Sequence, residues 1–320
     1  MVTGWLAELD GRRVTVEVPA STANLGAGYD CLGMALELTN RVTVEVRGWS
    51  RTGHELEVEG KGAGELGADG DNRFIRGLEA GIRAARGEMP EGAAWRIEMT
   101  NAIPLARGLG SSAAATVGGL VAANALLGEP LSSAELLRLA TEIEGHPDNA
   151  APALLGGFVA AAAFDGDVEA IRFDVPRGLR AVVLVPDLRL ETSEMRRVLP
   201  REVPRADAVA NLGRVAIGVA GIATGRRDFL RRLTEDRLHE PYRAVAYPQL
   251  PRLVADARAA GAIGACLSGA GSAVIAFTDT IAGVARIEAA FRAAAADTDL
   301  PARVEVVAPR NTGATVLARA

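Results

Sequence analysis

The chain carries one lysine, Lys61, among 35 basic residues. A Walker-type phosphate loop needs a lysine followed by Ser or Thr after its second glycine. Lys61 sits instead in KGAGELG, so that loop is excluded. Aromatic residues are scarce at 4 % and the formal net charge is −5. Nucleic-acid surfaces are basic and use aromatic platforms. The two arginine-rich stretches, RRVLPREVPR and GRRDFLRRL, are interrupted by acids and apolar residues and read as solvated helix faces. No nucleic-acid partner is therefore expected. The only cysteines, Cys31 and Cys266, are far apart, which leaves no disulfide framework or zinc cluster and suggests two small apolar thiols. The most apolar long stretch, Ala113 to Leu127, is too short and too rich in Ala and Gly for a membrane span. The N-terminus, MVTGWLAELDGRR, lacks a basic region followed by an apolar run. The expectation is a cytoplasmic protein with no membrane partner.

What is present is ordinary for a globular enzyme, and 320 residues suit about two domains. Alternation predicts strands over 12–18 and, with a turn near Asn40, over MALELTNRVTVEVRG. Residues 60–71 read as an exposed loop, 72–86 as a helix and 94–100 as a strand. Helices are expected at 111–127 and 132–144, and DNAAPALL reads as a helix start. Strands near 158–164, 168–173 and 179–185 follow, then helical runs at 205–224, 226–233 and 248–260. AIGACLSGAGSAVIAF reads as a hairpin-like pair closing on a glycine turn. A helix at 281–296 and a strand at 302–308 finish the pattern. Strands and helices are interspersed without regular βα alternation, which predicts an α+β fold rather than a doubly wound sheet. A boundary around 165–180 divides the chain into 1–174 and 175–320.

The central stretch is PLARGLGSSAAA, from Pro104 to Ala115, between a strand and a small-residue helix. Gly108 and Gly110 allow a tight turn and close approach to a ligand. Ser111 and Ser112 stand at the helix start, where serine is a favoured cap. The first turn of such a helix is an anion site, most often for phosphate. The loop loosely fits the dinucleotide pattern G-x-G-x-x-G/A, but that pattern wants an acid closing a second strand about 20 residues on. Here the acid at that distance, Glu129, lies in a turn. The bland alternative is a strand-to-helix turn with no ligand.

Three small-residue loops, PASTANLGAGYDCLG, PLARGLGSSAAA and LSGAGSA, resemble the signature motifs of the GHMP family of small-molecule kinases. Within it, ANLGAGYDCLG, EGHPDNAAPALLGG, ETSEMRRVLP and EPYR resemble the homoserine kinases. The resemblance implies an N-terminal domain like ribosomal protein S5 domain 2 and a ferredoxin-like C-terminal domain. ATP would lie in the glycine loop, with Mg²⁺, and the substrate between the domains. The reaction implied is transfer of the ATP γ-phosphate to the side-chain hydroxyl of L-homoserine, with the product feeding threonine synthesis. A mevalonate or sugar kinase of the same family, or a non-catalytic metabolite binder, is the alternative. Homodimers are common in the family, with the C-terminal helices as a candidate interface.

Carried over residue by residue, the resemblance assigns ATP binding to Pro104, Leu105, Ala106, Arg107, Gly108, Leu109, Gly110, Ser111, Ser112, Ala113 and Ala114. Mg²⁺ takes hard oxygen ligands: Ser112 and a carboxylate from the 132–144 helix, Glu142 by family comparison, with Glu144 competing. Arg196 and Arg243 are nominated for the substrate carboxylate, since guanidinium forks pair bidentately with carboxylates. Asp30 would take the ammonium, with Asn24 and Gly269 beside it. Asn149 would be both a substrate contact and a catalytic residue near the reacting hydroxyl. In mevalonate kinases an aspartate at this position is thought to take the proton. Asparagine has no basic form near neutral pH, so no strong protein base is expected. His146 is the rival base, though a histidine in a Pro-containing loop is more often structural. The second glycine loop reads SGAGSA where homoserine kinases often read SGSGPT, which leaves its backbone role but not its side-chain contacts.

Overall fold

The computed structural model describes residues 4–49, 53–69, 71–89 and 92–320. Residues 1–3 of the N-terminal stretch read for a leader, and residue 70 of the loop expected at 60–71, lie outside them. In chain order the first half runs α1 (Gly4–Glu8), β1 (Arg13–Ala23), β2 (Leu32–Trp49), β3 (Glu55–Gly60), α2 (Arg73–Arg86), β4 (Ala93–Asn101), α3 (Ser111–Leu126), α4 (Ser133–Glu144), α5 (Pro147–Leu155), β5 (Phe158–Phe164) and β6 (Asp167–Phe173). The second half runs β7 (Arg180–Pro186), α6 (Thr192–Arg197), α7 (Arg205–Ala223), α8 (Leu230–Leu233), α9 (Glu240–Ala246), α10 (Leu250–Ala259), β8 (Gly264–Leu267), β9 (Val274–Thr278), α11 (Ile281–Asp297), β10 (Ala302–Val307) and β11 (Thr315–Arg319).

The first domain rests on a seven-stranded sheet whose main path is β11-β1-β2-β4-β3, with β5 and β6 joined to the start of β2. In β1, Val14, Val16, Val18 and Ala20 share one face and are all buried, as a period of two requires. No turn interrupts β2 at Asn40. The strand runs through with a register shift, and the Asn40 Oδ1 accepts from the Ala102 and Ile103 N–H groups, both at 3.0 Å. That side chain aims the chain out of β4 toward the glycine loop.

Helices α2 to α5 pack over the sheet. Asn72 caps α2 through its Oδ1, and Phe74, Ile75, Leu78 and Ile82 form its buried face. Ser132 and Glu135 close a capping box on α4. α3 is apolar around most of its circumference and is correspondingly buried. It meets α2 backbone to backbone. A Cβ on Gly119 would lie 2.0 Å from the Phe74 carbonyl oxygen, and one on Gly77 would lie 2.3 Å from that of Thr116.

The second domain is a four-stranded antiparallel sheet in the order β10-β7-β9-β8. With α10 between β7 and β8, and α11 between β9 and β10, this is the ferredoxin-like arrangement. Alternation divides its two faces. Val182, Leu184, Ala265, Leu267, Val274 and Ala276 pack under α10 and α11. Ala181, Val183, Val185, Cys266, Ile275 and Phe277 turn the other way, into one core with Leu25, Leu109, Ala150 and Phe158 of the first domain. The domains therefore share a hydrophobic interior, which holds the loops between them in place.

The division at 174/175 does not hold at the C-terminus. β11 crosses back and pairs with β1, so the last strand completes the first domain's sheet. α1, β3, α6, α9 and β11 have too few residues to display a clear period, and the sequence reading omits all five. The run expected at 226–233 is two short pieces, a 3-10 turn over Arg227–Phe229 and α8. α7 alone among the described helices is long and apolar enough to cross a membrane. Its inner side is polar at Asn211, which donates to the Ala27 carbonyl and to Asp236, while Val209, Leu212 and Ile217 remain exposed.

Two glycine replacements should diverge. Gly119→Ala forces backbone apart at the α2–α3 contact and should destabilise by about 1–3 kcal/mol. Gly213→Ala, on α7 with nothing within 4 Å of the new Cβ, should stabilise by about 0.5–1 kcal/mol. Urea denaturation of both variants checks this, and equal effects would refute the backbone-contact account.

Candidate active site

The three glycine loops converge in space and are stitched together by short polar bonds. Ser268 Oγ donates to the Gly108 carbonyl at 2.6 Å and shares a hydroxyl–hydroxyl bond with Thr22 at 2.9 Å. The Gly269 carbonyl accepts from Asn24 Nδ2 at 3.0 Å and from Arg243 Nη1 at 2.9 Å. The Arg107 carbonyl accepts from the Ala273 N–H at 3.0 Å. This packing is possible only with glycine at two points. A Cβ on Gly108 would lie 2.0 Å from the Ser268 carbonyl oxygen, and one on Gly110 would lie 2.1 Å from Ser21 Oγ, with φ +72 and +70 respectively. Asn24, Leu25, Asp30 and Ala106 also sit in the left-handed region, which costs non-glycine residues about 1–2 kcal/mol each. The Asp30 N–H bonded to Asn24 Oδ1 at 3.0 Å helps hold that loop in shape.

Two adjoining cavities result. One, of about 490 Å³, is lined by apolar side chains such as Val18, Phe74, Met99 and Leu105 together with Asn72 and Ser111. The other, of about 180 Å³, is lined mainly by polar groups, among them Asn24, Asp30, Arg73, Ser112, Glu144, His146, Asp148, Asn149, Arg196 and Arg243. Ser111, Ser112, Arg73, Ala106 and Thr192 line both. Neither serine caps α3. The N-cap is Gly110, with no side-chain bond to the helix. The first N–H groups of α3 therefore point to the cavity without a protein cap, at the positive end of the helix dipole.

The metal-site expectation needs correction. Glu142 pairs with Arg138 one turn earlier on α4, and its side chain is 55 % exposed. Residues two apart on a helix project to nearly opposite faces, so Glu144 faces inward when Glu142 faces solvent. Glu144, with a side chain only 7 % exposed, accepts from Ser112 Oγ at 3.0 Å and Thr116 Oγ1 at 2.7 Å. These hard oxygens suit Mg²⁺. Asp30, His146 and Asp148 also bring potential ligand atoms within 4.8 Å of one another, but these groups are engaged with other partners. Arg196 grips both Asp30 oxygens at 2.8 and 2.9 Å, and His146 Nδ1 bonds to Asp148.

The remaining expected residues divide as follows. Gly108, Gly110, Ser111, Ser112, Ala113, Asn24, Asp30, Asn149, Arg196, Arg243 and Gly269 line the polar cavity. Ala106 lines both cavities, and Leu105 and Ala114 line the apolar one. Leu109 is 2 % exposed and belongs to the shared core. Pro104 lies on the far side of the loop; Arg107 lines the polar cavity too, but its guanidinium reaches the far side, donating from Nε to the Pro186 carbonyl at 2.7 Å. The Gly269 carbonyl is occupied by Asn24 and Arg243, so this glycine fastens loops together. Asn149 Oδ1 accepts from Ser21 Oγ at 2.9 Å, which leaves its amide nitrogen as the available donor.

Sequence reasoning missed Ser21, Tyr29, Arg73, Thr116, Thr192 and His239. Ser21, Tyr29 and Thr192 lie inside quoted motifs, but nothing in the pattern of the others marks them. The Tyr29 hydroxyl accepts from Arg196 Nη1 at 2.8 Å, and Arg196 and Arg243 each lie 5.6 Å from its ring centre. Arg243 is 2 % exposed. Its Nη1 also donates to His239 Nδ1 at 3.1 Å, while the opposite ring nitrogen of His239 bonds the Gly26 carbonyl at 2.8 Å. The histidine is thus held as the tautomer that accepts from the arginine. Burial first, opposed by Asp236 and reinforced by Arg243, pushes His239 down to about 4. Burial also depresses His146, but the Asp148 hydrogen bond and charge outweigh it and the group ends above its ordinary value.

Residues 73–157 match the family model described as GHMP kinases N terminal domain, and residues 221–297 match that described as GHMP kinases C terminal. A mevalonate kinase of L. major, in complex with R-mevalonate, shares the fold at TM-score 0.68 over 92 % of this chain and 95 % of its own, with 15 % identity. A homoserine kinase structure from Cytophaga hutchinsonii superposes at TM-score 0.83 with 29 % identity, covering 95 % of this chain and 97 % of that one. The homoserine kinase of Moorella thermoacetica is 44 % identical over 302 residues, 94 % of this chain and 99 % of its own length. At that identity and coverage, the chain belongs to the homoserine kinase family of GHMP kinases.

The three histidines, His54, His146 and His239, should titrate in a set order as pH falls. His146 should protonate first, above the usual histidine value. Burial lowers His54, which follows, and His239 comes last, near 4. Because the His146 value is raised, its pair with Asp148 stabilises the fold fully below the ordinary histidine range and ceases to do so as pH rises through the folded value. Imidazole NMR of the wild type and Asp148→Asn checks the order. Loss of the Asp148 charge should drop the His146 value, and a His146 that titrates below His54 in the wild type would refute the pairing.

Proposed function

We propose that the protein phosphorylates the side-chain hydroxyl of L-homoserine with ATP, forming O-phospho-L-homoserine and ADP for threonine synthesis. The observation that carries this reading is the charge pattern of the polar cavity: two guanidiniums, Arg196 and Arg243, flank Asp30 beside the uncapped start of α3. An α-amino acid brings a carboxylate and an ammonium. Those can exchange into the Arg196–Asp30 pair and engage the Arg243 Nη2, which has no protein partner among the described residues. A sugar or mevalonate, lacking the ammonium, leaves Asp30 without use.

The reaction needs placement more than acid–base strength. The adenosine portion suits the apolar cavity, and the N–H groups of Ser111, Ser112 and Ala113 suit the phosphates. Ser112 and Glu144 are the residues that would hold Mg²⁺, which neutralises phosphate charge when bound. Arg73, whose Nη1 lies 3.8 Å from Glu144, adds a further positive charge. The hydroxyl oxygen attacks the γ-phosphorus as the bond to the bridging oxygen breaks and ADP departs. The Asn149 amide nitrogen orients that hydroxyl, and its proton passes late to a phosphate oxygen or water.

A coupled ADP-release assay with Mg-ATP tests the substrate. L-Homoserine should turn over, whereas L-serine, mevalonate and galactose should not. Turnover with mevalonate or galactose alone would overturn the amino-acid reading. Glutamate replacements test the metal assignment. Glu144→Gln should lower kcat about 100-fold, while Glu142→Gln should stay within about twofold, since a solvated helical ion pair contributes little. The reverse ranking would restore Glu142. Asn149→Asp should not raise kcat, because a carboxylate there would face phosphate charge, and a large gain would mean that a protein base limits the rate.

A further inference from the structure

On the far side of the glycine loop lies a third cavity, of about 120 Å³, which shares Leu105 with the apolar cavity and Arg107 with the polar one. Lys61, Arg107, Arg189 and Arg303 all line it, against a single acid, Glu65. They come from four distant segments: the end of β3, the glycine loop, the stretch after β7, and β10. The chain's one lysine is among them. Lys61 and Arg189 are exposed while Arg107 and Arg303 are half-buried, and like charges brought together in this way repel each other.

The local carboxylates neutralise the group only in part, with Asp187 near Arg107. Glu65 pairs with Arg189, and Arg303 Nε pairs with Glu305. Arg303 Nη2 is buried with no hydrogen-bond partner. Lys61 and Arg107 form no ion pair among the described residues, and Arg107 spends its donors on the carbonyls of Pro186, Leu105 and Ala106. Burial, and then the neighbouring charge of Arg189, lower the Arg107 value, as expected where positive charges lie close together. An unpartnered buried guanidinium nitrogen costs free energy until an acceptor reaches it.

We propose that this cavity binds a phosphate-type oxyanion, either inorganic phosphate or the phosphate group of a small metabolite. Its volume holds about four waters, enough for a tetrahedral oxyanion but not for a nucleotide. Arg303 and Lys61 supply charge-assisted donors, and Arg107 sets the far wall. Because Arg107 also belongs to the glycine loop, occupancy bears on how firmly that loop is held. This site is separate from the one that takes the γ-phosphate.

Titration calorimetry with inorganic phosphate, on protein saturated with Mg-ADP, tests the proposal. One phosphate should bind per chain. Arg303→Gln and Lys61→Gln should each weaken it about tenfold, as loss of one charge-assisted hydrogen bond predicts, and Arg303→Lys should retain most of the affinity. A parallel titration with glycerol 3-phosphate separates the sources: tighter binding of the ester identifies a metabolite phosphate, and binding of the free ion alone identifies inorganic phosphate. No binding to the ADP-loaded protein, or binding unchanged by both Gln variants, would overturn the proposal. The second result would put the ion beside ADP in the polar cavity.

Discussion

Everything at the site depends on the contact between the glycine loop and the second domain, where Ser268 holds the Gly108 carbonyl. Gly108 lies so close to the Ser268 backbone that no side chain fits between them. Thr22 joins from the first loop, and Asn24 and Arg243 meet on the Gly269 carbonyl. Each bond alone is worth about 1 kcal/mol. Together they fix the start of α3 relative to Arg196 and Arg243, so that its uncapped N–H groups and the two guanidiniums face one cavity. The shared core beneath, with Leu25 and Leu109 against Ile275 and Phe277, keeps the two domains from sliding and spoiling that register.

The cavity is a balanced arrangement of charge rather than a basic hole. Arg196 is neutralised by Asp30, and His146 by Asp148. Arg243 forms no ion pair with a carboxylate among the described residues. It lies against Tyr29, a neutral histidine and backbone carbonyls. Its charge is therefore the one that an incoming carboxylate satisfies most directly. His239 can serve Arg243 only while neutral, and burial keeps it so over the physiological range. Glu144 is the matching negative pole, close to the helix start and braced by Ser112 and Thr116.

Much of this was legible in the sequence because glycine spacing and hydrophobic period are local signals. The strand–loop–helix order around Gly108, the long alternating β2, and the nomination of Arg196, Arg243, Asp30 and Asn149 needed only the chain itself and its resemblance to a family. Glu142 was the exception. It and Glu144 lie two residues apart in an acidic helix end, and only the rotation of α4 against α3 determines which of them turns inward. Arg107 shows the same limit in another form: its position in the phosphate loop suggested a nucleotide contact, yet its side chain reaches the opposite face to hold the Pro186 carbonyl.

The sequence by itself determined the α+β class, the family, and the loops that carry the chemistry, because each is written in residues that are neighbours along the chain. Tertiary structure alone decided the rest. It returned β11 to the first sheet, where pairing with β1 depends on a strand some 300 residues away. It brought His239 under Arg243 and gathered Lys61, Arg107, Arg189 and Arg303 around one cavity. Those groupings arise from long-range packing, in which the free energy of burying distant segments together sets which side chains meet, and no short window of sequence contains that information.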